Sequence, residues 1–70
     1  MAQDQYRETH LQMLRNIHLA NEETWVDFYL QTALVNIDNA GWKPEEAKNA
    51  RATVNVAAGV MKRRLNRESM

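Results

Sequence analysis

The segment from Glu22 to Asn39 is apolar around almost its whole circumference when it is drawn as an α-helix. Its aromatic side chains lie on one side, and aliphatic side chains cover the opposite side. The aromatic residues are Trp25, Phe28 and Tyr29, and the aliphatic residues are Val26, Leu30, Ala33, Leu34 and Ile37. A helix that is apolar on nearly all sides is either central to a large core or shared with another chain.

The length of the chain decides between these two possibilities. With 70 residues and a mass of 8.2 kDa, the folded chain should expose about 4,500 Å² and hide roughly 62% of the surface of the unfolded chain. A chain of this size has no large core, so we expect the segment to be shared with a second copy in a homodimer. The predicted self-association residues are Trp25, Phe28, Tyr29, Leu30, Leu34 and Ile37.

Helical periodicity and a few punctuating residues predict an all-α fold. Gly41 suits a left-handed helix end, and Pro44 suits the first position of the next helix. Asn21 reads as an N-cap that separates the first two helices, although these could instead be continuous. No stretch alternates with the period of a strand. We predict one helical domain over residues 1–70, a helical hairpin or bundle with helices at about 4–20, 22–39 and 44–67.

The third predicted helix carries a stripe of mostly small side chains. These residues are Ala47, Ala50, Val54, Ala57, Ala58, Met61 and Leu65. Small residues allow a bulky partner helix to approach closely, and the second helix fits that role. A second, weaker stripe of Ala52, Val56 and Val60 continues into the arginines near the end. Gly59 lies beside it and costs about 1 kcal/mol relative to alanine, which would be explained if something packs close to it.

Charge is balanced over the whole chain but not along it. Residues 1–50 carry four basic and eight acidic side chains, whereas residues 51–70 carry five basic and one acidic. Basic residues in the last turns of a helix complement its dipole. The same residues could instead form a docking site for phosphate or for an acidic protein surface. Because the third helix is the longest, we expect its basic end to overhang the bundle.

No residue pattern points to catalysis, a cofactor or a metal. The chain has no cysteine, which excludes a disulfide framework and cysteine-based metal sites. His10 and His18 lie about 80° apart around a helix and two turns along it, so they cannot share one metal ion. The acidic pairs at 22–23 and 45–46 start helices, where acids suit the dipole, and the only serine is Ser69. We expect no enzymatic activity, no cofactor and no metal site.

Nucleic-acid binding is the alternative to protein binding. Residues 34–50 have the outline of a helix-turn-helix, but the would-be recognition helix opens with Pro44, Glu45 and Glu46, whose acids would repel phosphates. The basic end of the third helix is the better candidate for this role. No apolar run approaches the ~20 residues of a membrane span, and no signal-peptide pattern opens the sequence, so we expect a cytoplasmic protein that does not bind a membrane.

The functional hypothesis from the sequence is therefore a small regulator or inhibitor that acts by binding another protein. Aromatic residues and arginine dominate the energetics of interfaces. Trp42, at a helix junction, is a candidate anchor, although it could equally pack back on Ala47 as a hydrophobic staple. The predicted partner-binding residues are Trp42, Val56, Val60, Arg63, Arg64 and Arg67. A phage or plasmid origin would suit such a protein.

Overall fold

Three α-helices account for nearly all of the chain. The structure, a computed structural model, describes the backbone of residues 2–68 and the side chains of residues 5–68. Helix α1 is Ala2–Leu19, α2 is Glu23–Ala40 and α3 is Pro44–Glu68. Within that part of the chain no residue belongs to a strand. The prediction of an all-α fold with three helices is confirmed, and each helix end lies within two residues of its predicted position.

The capping residues predicted from the sequence lie at the observed helix ends, with one exception. The first two helices are separate, as predicted, but the N-cap of α2 is Glu22 rather than Asn21. Glu22 is extended, and its carbonyl accepts from Trp25 N at 3.1 Å and Val26 N at 3.2 Å, so the helix starts one residue later than the Asn21 cap implied. Gly41 ends α2 in the left-handed conformation, with φ 69° and ψ 23°, where a Cβ would be unfavourable.

Helices α2 and α3 form an antiparallel hairpin. Lys62 Nζ donates to Asp27 Oδ1 at 2.8 Å near the start of α2, and Arg51 Nη2 donates to Asp38 Oδ1 at 3.1 Å near its end. The bond and the charge of Asp27 raise the pKa of Lys62. Since both ends of α2 meet α3, the helices stay side by side, unlike the helices of a helix-turn-helix, which cross at about 90–120°. The helix-turn-helix outline was therefore wrong.

Helix α1 runs back along α2 and completes the core. Asn36 Nδ2 of α2 donates to the carbonyl of Tyr6 at 2.9 Å, which ties the end of α2 to the start of α1. The core has two clusters, which Leu14 and Leu30 both contact. One contains Ile17, Val26, Ala57, Ala58 and Met61, and the other contains Ala33, Ile37, Ala47, Ala50 and Val54. The predicted small-residue stripe of α3 is thus buried, apart from the half-buried Leu65.

One smaller expectation about α3 was wrong, and a second finds no support among the described residues of the chain. The end of α3 does not overhang the bundle, because the Asp27–Lys62 register places the last turn level with Glu22, and Asn66 and Glu68 lie beside the α1–α2 loop. Nor does another element of the chain pack closely on Gly59. A Cβ there would meet only Arg63 Nη1, at 3.7 Å, an ordinary contact distance.

The folded chain leaves more surface in solvent than its mass predicts. Its accessible surface is 5096 Å², against about 4,500 Å² for a compact monomer of this mass. None of the helices within residues 2–68 has the apolar length that a membrane crossing requires. The additional surface includes several large apolar side chains that remain exposed.

Candidate interaction surfaces

The outward side of α2 carries a row of exposed apolar side chains. Phe28 and Val35 are each 57% exposed, and Trp25 is 48% exposed. With Thr32 between them, these residues repeat at intervals of three, four and three, the spacing of the a and d positions of a coiled coil. Thr32 Oγ1 donates to the carbonyl of Phe28 at 2.9 Å, so its hydroxyl needs no partner from outside. We call this row, together with Leu19, the aromatic face.

The rings of the aromatic face hold one another in place. Trp25 stacks on Tyr29 with ring centroids 5.9 Å apart, and it meets Phe28 edge-on at 6.0 Å. Phe28 and Tyr29 meet at 5.6 Å. Such pairs contribute about 0.5–1.5 kcal/mol each. Leu19, 81% exposed, ends α1 beside Trp25. The face is therefore partly ordered before any partner arrives, which reduces the entropy lost on binding.

The structure divides the predicted self-association residues between this face and the core. Trp25 and Phe28 are exposed, and Tyr29 is half-buried against the core. Leu30 and Leu34 are also half-buried, because they pack on the core clusters. Assigning Ile37 to self-association was wrong: it is only 2% exposed and packs among the alanines of α3. A second chain could reach it only if the fold opened.

A second apolar surface lies between α1 and α3. Val56 is 66% exposed and Val60 is 40% exposed. With Ala52 of α3 and His18 of α1 they line a shallow groove. Leu11 of α1, 55% exposed, lines a neighbouring hollow that shares Thr53 with this groove. We call these five residues the valine groove.

Three arginines extend the valine groove toward the end of α3. Arg63, Arg64 and Arg67 follow Val60 by three, four and seven residues and are all exposed. Within the described side chains, none of the three forms an ion pair. We call them the arginine end. The structure therefore places five predicted partner-binding residues, Val56, Val60 and the arginine end, on neighbouring positions of one helix.

Trp42, the sixth predicted partner-binding residue, is largely used within the chain. It packs against the core cluster that includes Ala47. The guanidinium of Arg7 lies 5.3 Å from the centre of the indole ring, and the His10 ring meets it edge-on at 5.6 Å. Arg7 also pairs with Glu46. Trp42 thus closes the far end of the α1–α3 space, and only part of its ring is left for a partner.

Partial burial lowers the pKa of His10. Loss of hydration beside Trp42 lowers the pKa of His10 from its ordinary value of 6.5, since burial disfavours the charged imidazolium. Its Nδ1 is buried and has no hydrogen-bond partner within residues 5–68.

Across the described part of the chain, no three histidine, aspartate or glutamate residues are grouped so that they could hold a metal ion. Ser69 lies outside the described residues.

Sequence reasoning missed three of the exposed large apolar residues, Leu11, Leu19 and Val35, and the groove residue His18. Val35 lies on neither of the two main sides of α2, so neither the aromatic nor the aliphatic set of the sequence analysis includes it. The 3-4-3 spacing of Trp25, Phe28, Thr32 and Val35 was the signal that could have found it. Leu11, His18 and Leu19 carried no such signal, because their exposure depends on how α1 packs.

No protein-family model, curated protein or solved structure matches this chain.

Proposed function

We propose that this chain is a non-enzymatic protein–protein interaction module. It forms a homodimer through the aromatic face, and it binds and regulates or inhibits another protein through the valine groove and the arginine end. The observation that carries the proposal is the distribution of exposed large hydrophobic side chains over two faces that share no residue. One face has Leu19, Trp25, Phe28 and Val35, and the other has Leu11, Val56 and Val60.

Homodimerisation is supported by the chemistry of the aromatic face. Its central residues are uncharged, and its heptad spacing lets two copies of α2 interlock. Trp25 and Phe28 each leave roughly 100 Å² in solvent, about half of what an aromatic side chain can bury. With Leu19 and Val35 added on both copies, the buried area approaches the roughly 1,000 Å² of the smallest specific interfaces. We therefore expect a dimer with a dissociation constant in the micromolar range.

Binding of a second protein is supported by the other surface. The valine groove leaves apolar area in solvent at positions that a symmetric contact through α2 does not cover. Monomeric proteins rarely leave such patches without a use. Because the two faces lie on different sides of the bundle, a dimer could hold partners at both of its grooves.

A nucleic-acid-binding accessory role is the second candidate function. The observation that favours it is the exposure of Arg63, Arg64 and Arg67 without ion pairs among the described side chains. Phosphate contacts would make such binding fall steeply as salt is added. A gel shift with duplex and single-stranded DNA at low salt tests it, and this role is abandoned if neither probe is retarded.

The main proposal is tested by affinity capture from the native host's lysate with three forms of the protein: wild type, Val35→Asp and Val56→Asp. Both substitutions place the same charge at an exposed valine, so each controls for the other. We expect wild type to capture a specific protein, Val56→Asp to lose it, and Val35→Asp to keep it. Equal capture by all three forms, or no specific capture by any, would contradict the proposal.

A further inference from the structure

The valine groove offers a surface on which a further helix can pack. Its α3 wall is a ridge of Ala52, Val56 and Val60, spaced four residues apart. Ridges with this spacing are the ones that interdigitate when two helices pack. Ala57 is only 9% exposed and contributes to the floor of the groove. A larger apolar side chain from another helix can therefore enter above it, between α1 and α3.

The hydroxyl of Thr53 does not oppose an apolar occupant. Thr53 lines the groove, and its Oγ1 donates to the carbonyl of Asn49 at 2.9 Å within α3. The hydroxyl is thus satisfied inside the chain, so covering it leaves no unpaired donor. A helix also satisfies its own backbone hydrogen bonds, which makes it the occupant best suited to an apolar groove.

Charge restricts the identity of the occupant. Two other arginines, Arg7 and Arg51, are paired with Glu46 and Asp38. Arg63, Arg64 and Arg67 form no ion pair with any described side chain. An arginine guanidinium binds carboxylates in a bidentate geometry that an ordered helical partner can offer. On α3, the apolar wall of the groove is therefore followed by a cationic end for which the described side chains supply no counter-charge.

We propose that the valine groove docks an amphipathic helix of another protein whose apolar stripe leads into acidic residues at one end. This inference rests on the proposed function and names the partner's chemistry. The apolar stripe contacts Leu11, Val56 and Val60, and the acids pair with the arginine end. From Ala52 to Arg67 the site spans about 22 Å, which corresponds to about 15 residues of helix. A nucleic acid would match the arginines but would gain nothing from the valines beside them.

The test is selection from a display library of 16-residue helical peptides, with every position varied on a helix-forming background. We expect enriched peptides to have apolar residues at helical spacing and an excess of acids at one end. Their binding should weaken at least 10-fold on Val56→Asp and on Arg64→Glu. Val35→Asp and Lys48→Glu, equivalent changes at exposed positions outside the groove, should leave it unchanged. Far-ultraviolet circular dichroism checks that each variant keeps its helices.

A charge exchange makes the test specific. When Arg63, Arg64 and Arg67 are all replaced by glutamate, the selected peptides should no longer bind, and peptides with lysine in place of their acids should bind instead. The proposal is overturned if no peptide is enriched, if enriched peptides carry no acidic excess, or if Val35→Asp weakens them as much as Val56→Asp. It is also overturned if Val56→Asp lowers the mass of the free protein, because a second copy would then occupy the groove.

Failure of this inference can be separated from failure of the proposed function. If the lysate partner is captured through Val56 but no acidic helix is selected, the module binds a protein of another shape, and only the inference falls. If no partner is captured at all, the proposed function falls with it.

Discussion

The aromatic face and the valine groove are both exposed and apolar, yet they differ in the features that determine a partner. The aromatic face carries two large rings held by a third, lies on α2 apart from Leu19 at the end of α1, and has no charge among its central residues. The valine groove combines Ala52, Val56 and Val60 of α3 with Leu11 and His18 of α1. It is followed along α3 by three arginines that form no ion pair with a described side chain. A symmetric contact brings like charges together, so an uncharged face favours a second copy and a cationic one favours a different, acidic partner.

The largest contrast within α2 is between a buried residue and an exposed residue that lie close together in the sequence. Ile37 is enclosed among α3 alanines, whereas Val35 lies in solvent two residues earlier. We expect Ile37→Ala to lower the free energy of unfolding by about 2–5 kcal/mol, a large part of the total for a chain of this size. Val35→Ala should change it by less than about 0.5 kcal/mol at monomer concentrations. Urea unfolding followed by circular dichroism measures both, and equal losses would place Ile37 outside the core.

A charge on the aromatic face should separate the two copies without unfolding them. We expect Phe28→Asp to weaken the dimer at least 100-fold, about 2.7 kcal/mol, because each copy would carry a carboxylate into the apolar contact. Val56→Asp is the matched control and should leave the dimer intact. Size-exclusion chromatography with light scattering gives the mass of each variant. A normal dimer for Phe28→Asp, or a monomer for both variants, would remove the distinction between the two faces.

The two glycines should respond to alanine in opposite directions. Gly41 has φ 69°, and a Cβ there would meet nothing, so Gly41→Ala should cost about 1 kcal/mol through the backbone alone. Gly59 has helical geometry and room for a Cβ, so Gly59→Ala should stabilise by about 1 kcal/mol. A change of 1 kcal/mol shifts Tm by roughly 4–8 °C in a domain of this size. Destabilisation by Gly59→Ala in thermal melts would show that something packs close to that position after all.

The smallest expected effect is the dependence of the free energy of unfolding on pH, which arises from His10 beside Trp42. Because burial lowers the pKa of His10 below 6.5 in the folded state, the unfolded chain binds the proton more readily. Stability should be highest above pH 6.5 and should fall as pH decreases toward the folded-state pKa of His10. His10→Gln should flatten this change between pH 7.5 and 5.5. Urea midpoints at each pH provide the measurement, and a slope that persists in His10→Gln would assign the effect elsewhere.

The parts of the fold that follow local rules could be predicted from the sequence. Gly41, Pro44 and the alanine stripe of α3 identify helix ends and a buried face without reference to any other segment. Helical spacing separates two apolar sides of α2, but which of them is covered could not be predicted, because it depends on where α1 and α3 sit. Ile37 and Val35 are both β-branched, and only the packing of α3 makes one core and the other surface. The valine groove depends in the same way on the spacing of α1 from α3.

Sedimentation equilibrium of the wild-type protein over about 1–200 μM tests most directly whether the uncovered side of α2 recruits a second copy. The account predicts a mass that rises from 8.2 kDa to twice that value, with half-association in the micromolar range. A constant mass of 8.2 kDa across that range, from a protein that unfolds cooperatively, would contradict it.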